Sequence, residues 1–214
     1  MIEDYTTTHT GSETANLRAM LGRKAHTTGR IYQVDAMFPN SLEGSLDMAS
    51  VDEDFATLLQ GFVMALKPRV ILETGTHKGR STRAICEGLK ENGQGHIHTV
   101  DMVDYGVMAS GAIRDDEKEY VTQVVGRTPD VFSEEPLKDL MGIDFAFIDG
   151  DHTRQGLIED LQYVDAHRDN ECLVLVDNAR DNDWPDVEEF FSDYRDYPNF
   201  LLLTCVGTQI IQMR

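Results

Sequence analysis

Residues 69–81 read RVILETGTHKGRS, and this stretch decides the fold. The apolar run Val70, Ile71, Leu72 has strand character and ends on an acid, Glu73. A glycine turn follows from Gly75 to Gly79, and a helical pattern begins near Ser81. Glycine lets the backbone turn sharply and come close to a ligand. A helix start adds free N–H groups and the positive end of a dipole, which suit an anionic group. Strand, acid, glycine turn and helix in that order build a nucleotide-cofactor site, although the same order also serves as a plain connection.

On both sides of this stretch the pattern alternates. Upstream, Phe55, Leu58, Leu59, Phe62, Val63 and Leu66 fall on one helical face. Ser50 and Glu53 have capping-box spacing at its start, and Pro68 closes it. Downstream, strands are expected at 96–101 (HIHTVD), 120–125 (YVTQVV), 144–149 (DFAFID) and 172–177 (CLVLVD). Helices are expected at about 80–91, near 114–120, near 133–140 and around Leu157, Leu161 and Val164. A last helix carries Val187, Phe190, Phe191 and Tyr194, with Asp183 as its expected cap and Pro185 in its first turn. FLLLTCV and TQIIQMR then form two strands with only Gly207 between them, a connection that permits only an antiparallel pair. The expected fold is α/β, with a mostly parallel seven-stranded sheet and a C-terminal antiparallel hairpin. Residues 1–50 show no clean period and read as an N-terminal extension, either a cap over the site or partly disordered. The ordered domain is expected over 51–214.

With 214 residues, 41% of them hydrophobic, the chain can bury one full α/β core. Its formal net charge is −19. Such a surface repels nucleic acid phosphates and anionic membranes, so neither is expected as a partner. Cys86, Cys172 and Cys205 are widely spaced without a CxxC pair and read as reduced core residues. The N-terminal residues lack an apolar signal region, and no segment reaches membrane-spanning length. A soluble cytoplasmic protein is expected. The sequence leaves oligomeric state open, a homo-oligomer included.

In an open parallel sheet, ligands bind at the carboxyl ends of the strands. Glu73, Asp101 and Asp149 each end a strand, and Asp177 with Asn178 ends another. One such acid is commonly a cap or turn residue. Four along one edge would cost several kcal/mol to bury without a purpose, by order of magnitude. Asp101 follows the turn by about twenty residues, where an acid accepts hydrogen bonds from ribose hydroxyls. The turn itself, Gly75-Thr76-His77-Lys78-Gly79, lacks the middle glycine that brings a pyrophosphate close. A smaller nucleoside ligand with an amino-acid tail fits it better.

FIDGDH (147–152) and LVDN (175–178) make a second constellation. Asp149, Asp177 and Asn178 offer an all-oxygen ligand set, which suits Mg²⁺, Ca²⁺ or Mn²⁺ rather than zinc. Asp151 is either a further ligand or a cap for the next helix. His152 can act as a general base near neutral pH or be bonded into its turn. His77 either contacts the cofactor or faces solvent. His96 and His98 alternate on a strand with no partner motif and read as structural. Arg180 and Trp184 follow Asn178 and can form an anion contact and a substrate wall.

These residues resemble a class I S-adenosylmethionine-dependent methyltransferase, a Rossmann-like three-layer sandwich, over about residues 50–214. ETGTHKGRS resembles the first motif of that family and TVD (99–101) the second. FIDGDHTRQGLIEDL resembles a segment of small O-methyltransferase-like proteins, the macrocin O-methyltransferase and cephalosporin hydroxylase relatives. LVDN resembles the metal-binding Asp-Asn of catechol and caffeoyl-coenzyme A O-methyltransferases. The resemblance implies a domain at 51–214 in which Glu73, Gly75, Thr76 and Gly79 line the methionine end of S-adenosylmethionine, with Ser81 in reach. Asp101 would hold the ribose, and Thr128 would lie near the adenine. Asp149, Asp177 and Asn178 would bind a divalent metal, Mg²⁺ by chemistry. His152 and Asp149 are the expected catalytic residues. The chain departs from the family pattern at His77, where a glycine is usual, and at His152, where catechol-type enzymes place a lysine.

The expected activity is metal-dependent methylation of a hydroxyl on a small-molecule acceptor, such as a catechol or a sugar diol. Three alternatives compete with it. One is a metal-independent methyltransferase that uses His152, acting on oxygen or nitrogen. Another is a cofactor-binding protein of the same fold without turnover. The last, a nicotinamide oxidoreductase, is disfavoured by the missing glycine.

Overall fold

The computed structural model describes residues 31–33, 51, 53–204 and 207–214. All seven expected strands form: β2 (Val70–Thr74), β3 (His96–Asp101), β4 (Val121–Val125), β5 (Ile143–Ile148), β6 (Arg168–Val176), β7 (Asn199–Leu203) and β8 (Thr208–Met213). A three-residue strand from the N-terminal segment, β1 (Ile31–Gln33), adds an eighth beside β7. The sheet order is β1-β7-β8-β6-β5-β2-β3-β4. Only the β6–β8 and β7–β8 pairs are antiparallel, so the C-terminal hairpin inserts β8 between β6 and β7. Apart from β1, the rest of residues 1–50 lies outside the described residues, as do Cys205 and the Ser50 of the expected capping box.

Side chains alternate across each strand, and the two faces build two separate cores. On one face Ile71, Ile97, Phe145, Phe147 and Leu175 pack under α1 (Glu53–Leu66) and α2 (Arg80–Asn92). On the other, Leu72, Val100, Ala146, Val174 and Val176 pack under α4 (Arg154–His167) and α5 (Pro185–Asp193). This is the three-layer α/β sandwich. Strands covered on both faces read as continuous apolar runs, which is why β5 and β6 were visible in the sequence. Cys86 and Cys172 are free and buried, as expected.

The connections differ from expectation where they are short. The stretch expected to be helical near 114–120 holds only a 3₁₀ turn at Lys118–Tyr120, and a four-residue helix, α3 (Val107–Ser110), lies upstream of it. The helix expected at 133–140 reduces to a 3₁₀ turn at Asp130–Ser133. Neither segment is long enough for helical periodicity to compete with turns. β6 starts four residues earlier than expected, and its pairing with β5 shifts register between Ile143 and Phe145. The cap of α5 is Trp184, with Pro185 behind it, and not Asp183. Asp183 instead donates its backbone N–H to Asp181 Oδ1 at 2.9 Å. No helix among the described residues is long and apolar enough to cross a membrane.

His96 and His98 stand together on β3, their ring centroids 5.1 Å apart. His96 Nε2 meets Thr122 Oγ1 at 2.8 Å, whereas the buried Nδ1 of His98 has no hydrogen-bond partner. Burial, with a smaller contribution from His96, pushes the His98 imidazole down to about 4. The folded ring therefore resists a proton that the unfolded chain accepts near pH 6.5. Stability attributable to His98 is present above pH 6.5 and is lost as pH falls toward 4. Discounted for its partial exposure, the loss is on the order of 1 kcal/mol. Urea titrations at pH 7.5 and 5 should show His98→Asn removing about that part of the acid sensitivity.

Candidate active site

The site is organised by hydrogen bonds that continue the sheet one step past its strands. Gly126 N donates to Asp101 O at 2.8 Å, Gly75 N to Val100 O at 2.8 Å, Asp149 N to Thr74 O at 2.9 Å, and Asp177 N to Ile148 O at 3.0 Å. They fix the loops after β2, β4, β5 and β6 against one another. Gly75 is required in this arrangement. Its φ is +93°, and a Cβ would stand 2.1 Å from the carbonyl oxygen of Asp149. The loop that carries the first constellation thus packs directly on the loop that carries the second.

Glu73 lies inside β2, fully buried and on the face toward α2. Its Oε2 accepts hydrogen bonds from Thr82 and Thr99, both at 2.6 Å. The Thr99 hydroxyl also meets Thr76 Oγ1 at 2.6 Å. Oε1 is buried with no partner of normal hydrogen-bond geometry. Burial pushes the carboxyl up to about 7, against the pull of the Ser81, Thr82 and Thr99 hydroxyls and with a small push from Asp101. An orphaned, desolvated oxygen of this kind suits a cationic donor such as an ammonium group. Gly79, at φ +80°, starts α2 with no side-chain cap, so the first turn of that helix leaves N–H groups for an anion.

Asp101 closes β3. One of its oxygens accepts from His77 N at 2.8 Å and the other from Val103 N at 2.9 Å. His77 holds φ +43°, a left-handed conformation at the place where the family pattern has glycine. Its ring stands edge-on to Tyr105 at 4.8 Å. Thr128 follows β4, partly buried, two residues after the Gly126 bond to Asp101.

The second constellation is more open, the Asp149 side chain being 19% exposed. Asp149 is held well above the usual carboxylate range by burial, then by the charges of Asp177, Glu73 and Asp101. Asp177 is 5% exposed and accepts from the Thr208 hydroxyl at 3.0 Å. Asn178, at φ +58°, donates its amide N–H to Asp181 Oδ2 at 3.0 Å. His152 Nε2 is 3.7 Å from Asp149 Oδ1, and its ring packs on Trp184 at 4.8 Å. Burial lowers the imidazole below its ordinary value, against the attraction of Asp151 and Asp181, so the ring is neutral at pH 7 and free to accept a proton. Asp151 is not the cap of α4. It accepts from Thr153 N at 3.0 Å, and Thr153 itself caps the helix through Gly156 N at 3.1 Å. Arg180, half exposed, lies 4.0 Å from Glu188. Met102, Val103, Tyr105 and Trp184 are exposed apolar side chains on the loops after β3 and β6. No group of three or more His, Cys, Asp or Glu side chains able to hold a metal occurs among the described residues.

The family described as "Methyltransferase domain" matches residues 72–179, which is half of the chain and contains both constellations. The chain belongs to that family. Its fold is the class I S-adenosylmethionine-dependent methyltransferase fold. The O-methyltransferase TomG of Streptomyces achromogenes, involved in tomaymycin synthesis and solved with S-adenosylmethionine, is similar at 20% identity and TM-score 0.63, over 78% of this chain and 83% of that one. An O-methyltransferase from Bacillus cereus, solved with S-adenosylhomocysteine, is similar at 18% identity and TM-score 0.65, over 79% and 84%. The Podospora anserina methyltransferase PaMTH1, also with bound S-adenosylhomocysteine, gives 20% identity and TM-score 0.60, over 78% and 81%. A comparison with curated protein sequences gives no match.

Sequence reasoning on this methyltransferase missed Thr82 and Thr99, the hydroxyls on Glu73, and Asp160 and Asp181, which hold other parts of the site. Thr82 and Asp181 carry no motif. Asp160 does leave a signal, an acid on the apolar helix face of Leu157, Leu161 and Val164. The raised pKa of Glu73 fixes a pH dependence. The unfolded carboxyl ionises near 4.5 and the folded one near 7. Its contribution to stability is present below pH 4.5 and lost as pH rises through 7, on the order of 3 kcal/mol. Glu73→Gln should flatten the loss of apo-protein stability between pH 5 and 8 in denaturant titrations, while weakening the binding of S-adenosylhomocysteine in calorimetry.

Proposed function

We propose that this methyltransferase transfers the methyl group of S-adenosylmethionine to a hydroxyl of a small-molecule acceptor, assisted by a divalent cation held by Asp149, Asp177 and Asn178. The observation that carries the reading is the pair of halves at one sheet edge, the orphaned Glu73 oxygen in one and, in the other, the Asp149 and Asp177 carboxylates, near enough for the charge of Asp177 to raise the Asp149 carboxyl. A cation between two such carboxylates would offset the charge that each places on the other. The Asn178 amide N–H is committed to Asp181, which leaves its carbonyl oxygen as the donor atom for a ligand. An all-oxygen set of this kind fits Mg²⁺.

When bound, S-adenosylmethionine supplies an electrophilic methyl on sulfur, and a divalent cation lowers the pKa of the acceptor hydroxyl. Glu73 would accept the ammonium end of the donor, and Asp101 would take the ribose hydroxyls. Gly75 and Gly79 let the backbone come close to the donor. Transfer to the acceptor oxygen would break the methyl–sulfur bond and release S-adenosylhomocysteine, and the neutral ring of His152 would take the acceptor's proton. Asp151 and Asp181, whose charges attract the ring's proton, favour the imidazolium that results. The chain's main contribution is alignment of the two reactants, an effect that can supply about 7–11 kcal/mol. Met102, Val103, Tyr105 and Trp184 give the acceptor side apolar surface.

One observation favours a second reading. The proposed metal set holds only two charged ligands, so His152 can serve as the base without a cation. The two readings separate on EDTA treatment and two variants. With the cation, EDTA abolishes turnover and Asp177→Asn lowers it on the order of a hundredfold. Without it, turnover survives EDTA and Asp177→Asn but falls with His152→Ala. Turnover assays against a panel of phenolic and sugar acceptors with labelled S-adenosylmethionine would decide.

A further inference from the structure

Asp160 is a fully buried carboxylate in the middle of α4, outside both constellations. Its Oδ2 accepts from Thr74 Oγ1 at 2.9 Å. Oδ1 is buried and has no hydrogen-bond partner of normal geometry. The Thr128 hydroxyl faces the carboxyl closely enough to favour its ionised form. Desolvation is the stronger effect and pushes the acid up to about 7, so a bare structural hydroxyl or amide would serve packing at lower cost.

The two threonines are informative in their positions. Thr74 is the last residue of β2, and its carbonyl accepts Asp149 N. A Cβ at Gly150 would stand 3.1 Å from the Thr74 side chain, so the FIDGDH loop packs on this same residue. Thr128 follows β4 beside the Gly126–Asp101 hydrogen bond, next to the acid assigned to the ribose. Asp160 therefore reaches from the helix of the acceptor half to the two strand ends beneath the cofactor half.

We propose that Asp160 is a positioning residue for the cofactor, its buried carboxyl tying Thr128 to Thr74 so that the end of β4 is held in place as the adenosine side of the pocket. This rests on the methyltransferase reading. A side chain that only filled space would affect folding without affecting ligand choice. A positioning role instead predicts a loss of affinity confined to the adenosine end of the ligand.

The test is calorimetry on the full chain with two probes, S-adenosylhomocysteine and 5′-methylthioadenosine, the second lacking the amino-acid tail. Asp160→Ala should weaken both by about tenfold, the value of a lost hydrogen bond to a charged group. Asp160→Asn, which keeps an acceptor for Thr74, should recover most of that loss. Glu73→Gln, in contrast, should weaken S-adenosylhomocysteine and leave 5′-methylthioadenosine within about twofold, because it acts on the tail. If Asp160→Ala does not fold, Thr74→Val, which removes the hydroxyl that Asp160 accepts, should give the same loss on both probes. Equal affinities in wild type and folded Asp160→Ala, or in wild type and Thr74→Val where Asp160→Ala does not fold, would overturn the proposal. A wild-type protein that binds neither probe would overturn the methyltransferase reading beneath it, a result distinct from tight binding that the variants leave unchanged.

Discussion

The hydrogen-bond ladder that runs past the strand ends is the constraint on which the rest of this molecule depends. Parallel pairing normally stops where the strands diverge into loops. Here the backbone N–H groups of Gly75, Gly126, Asp149 and Asp177 continue it, each on a neighbouring strand. Every one of these residues opens a loop, so the loops are registered by the sheet and not by their own side chains. That registration is what brings Glu73, Asp101, Asp149 and Asp177 near enough for Asp149 to feel the other three charges. It also makes Gly75 irreplaceable, since the ladder presses its Cα against the Asp149 carbonyl.

A chain with net charge −19 does not lack acids, and the four at this edge differ in how they are held. Asp101 is satisfied by two backbone N–H groups and needs no counter-charge. Glu73 receives two hydroxyls on one oxygen and none of normal geometry on the other. Asp177 has a hydroxyl from β8, the strand that the C-terminal hairpin inserts beside β6. Asp149 has as its nearest basic neighbour an imidazole that burial keeps neutral. Desolvation thus leaves the largest unmet demand for positive charge at Glu73 and Asp149, one in each half. A sulfonium ligand with an ammonium tail would answer the first, and the proposed cation the second.

The fold was legible because its signals are local. Apolar runs bounded by glycine and acid located every strand of the core, and the short connection at Gly207 settled the direction of the hairpin before any pairing was known. The short helical segments were not legible, since three or four residues cannot display a period of 3.6. The acids of the site could be read from their places at strand ends. Their partners could not, because Thr99 lies 26 residues from Glu73 and Asp160 lies 86 from Thr74, and only the sheet order makes them neighbours. Asp183 and Asp151 were misread for a related reason. Each belongs to a run of acids in which any one can cap, and the backbone geometry selected Asp181 and Thr153 for the main interactions.

His77 carries the same logic further. A histidine at the middle of a glycine turn weakens the family pattern when read as sequence, because the usual residue there tolerates positive φ and leaves space. In the structure His77 does adopt positive φ, which costs on the order of 1 kcal/mol for a residue with a side chain. The compensation comes from Asp101, the acid proposed for the ribose, which accepts the His77 N–H. The departure is therefore tied to the retained feature. A chain that keeps Asp101 can hold a non-glycine residue in this conformation, and the ring of that residue then has Tyr105 to pack against at the mouth of the site.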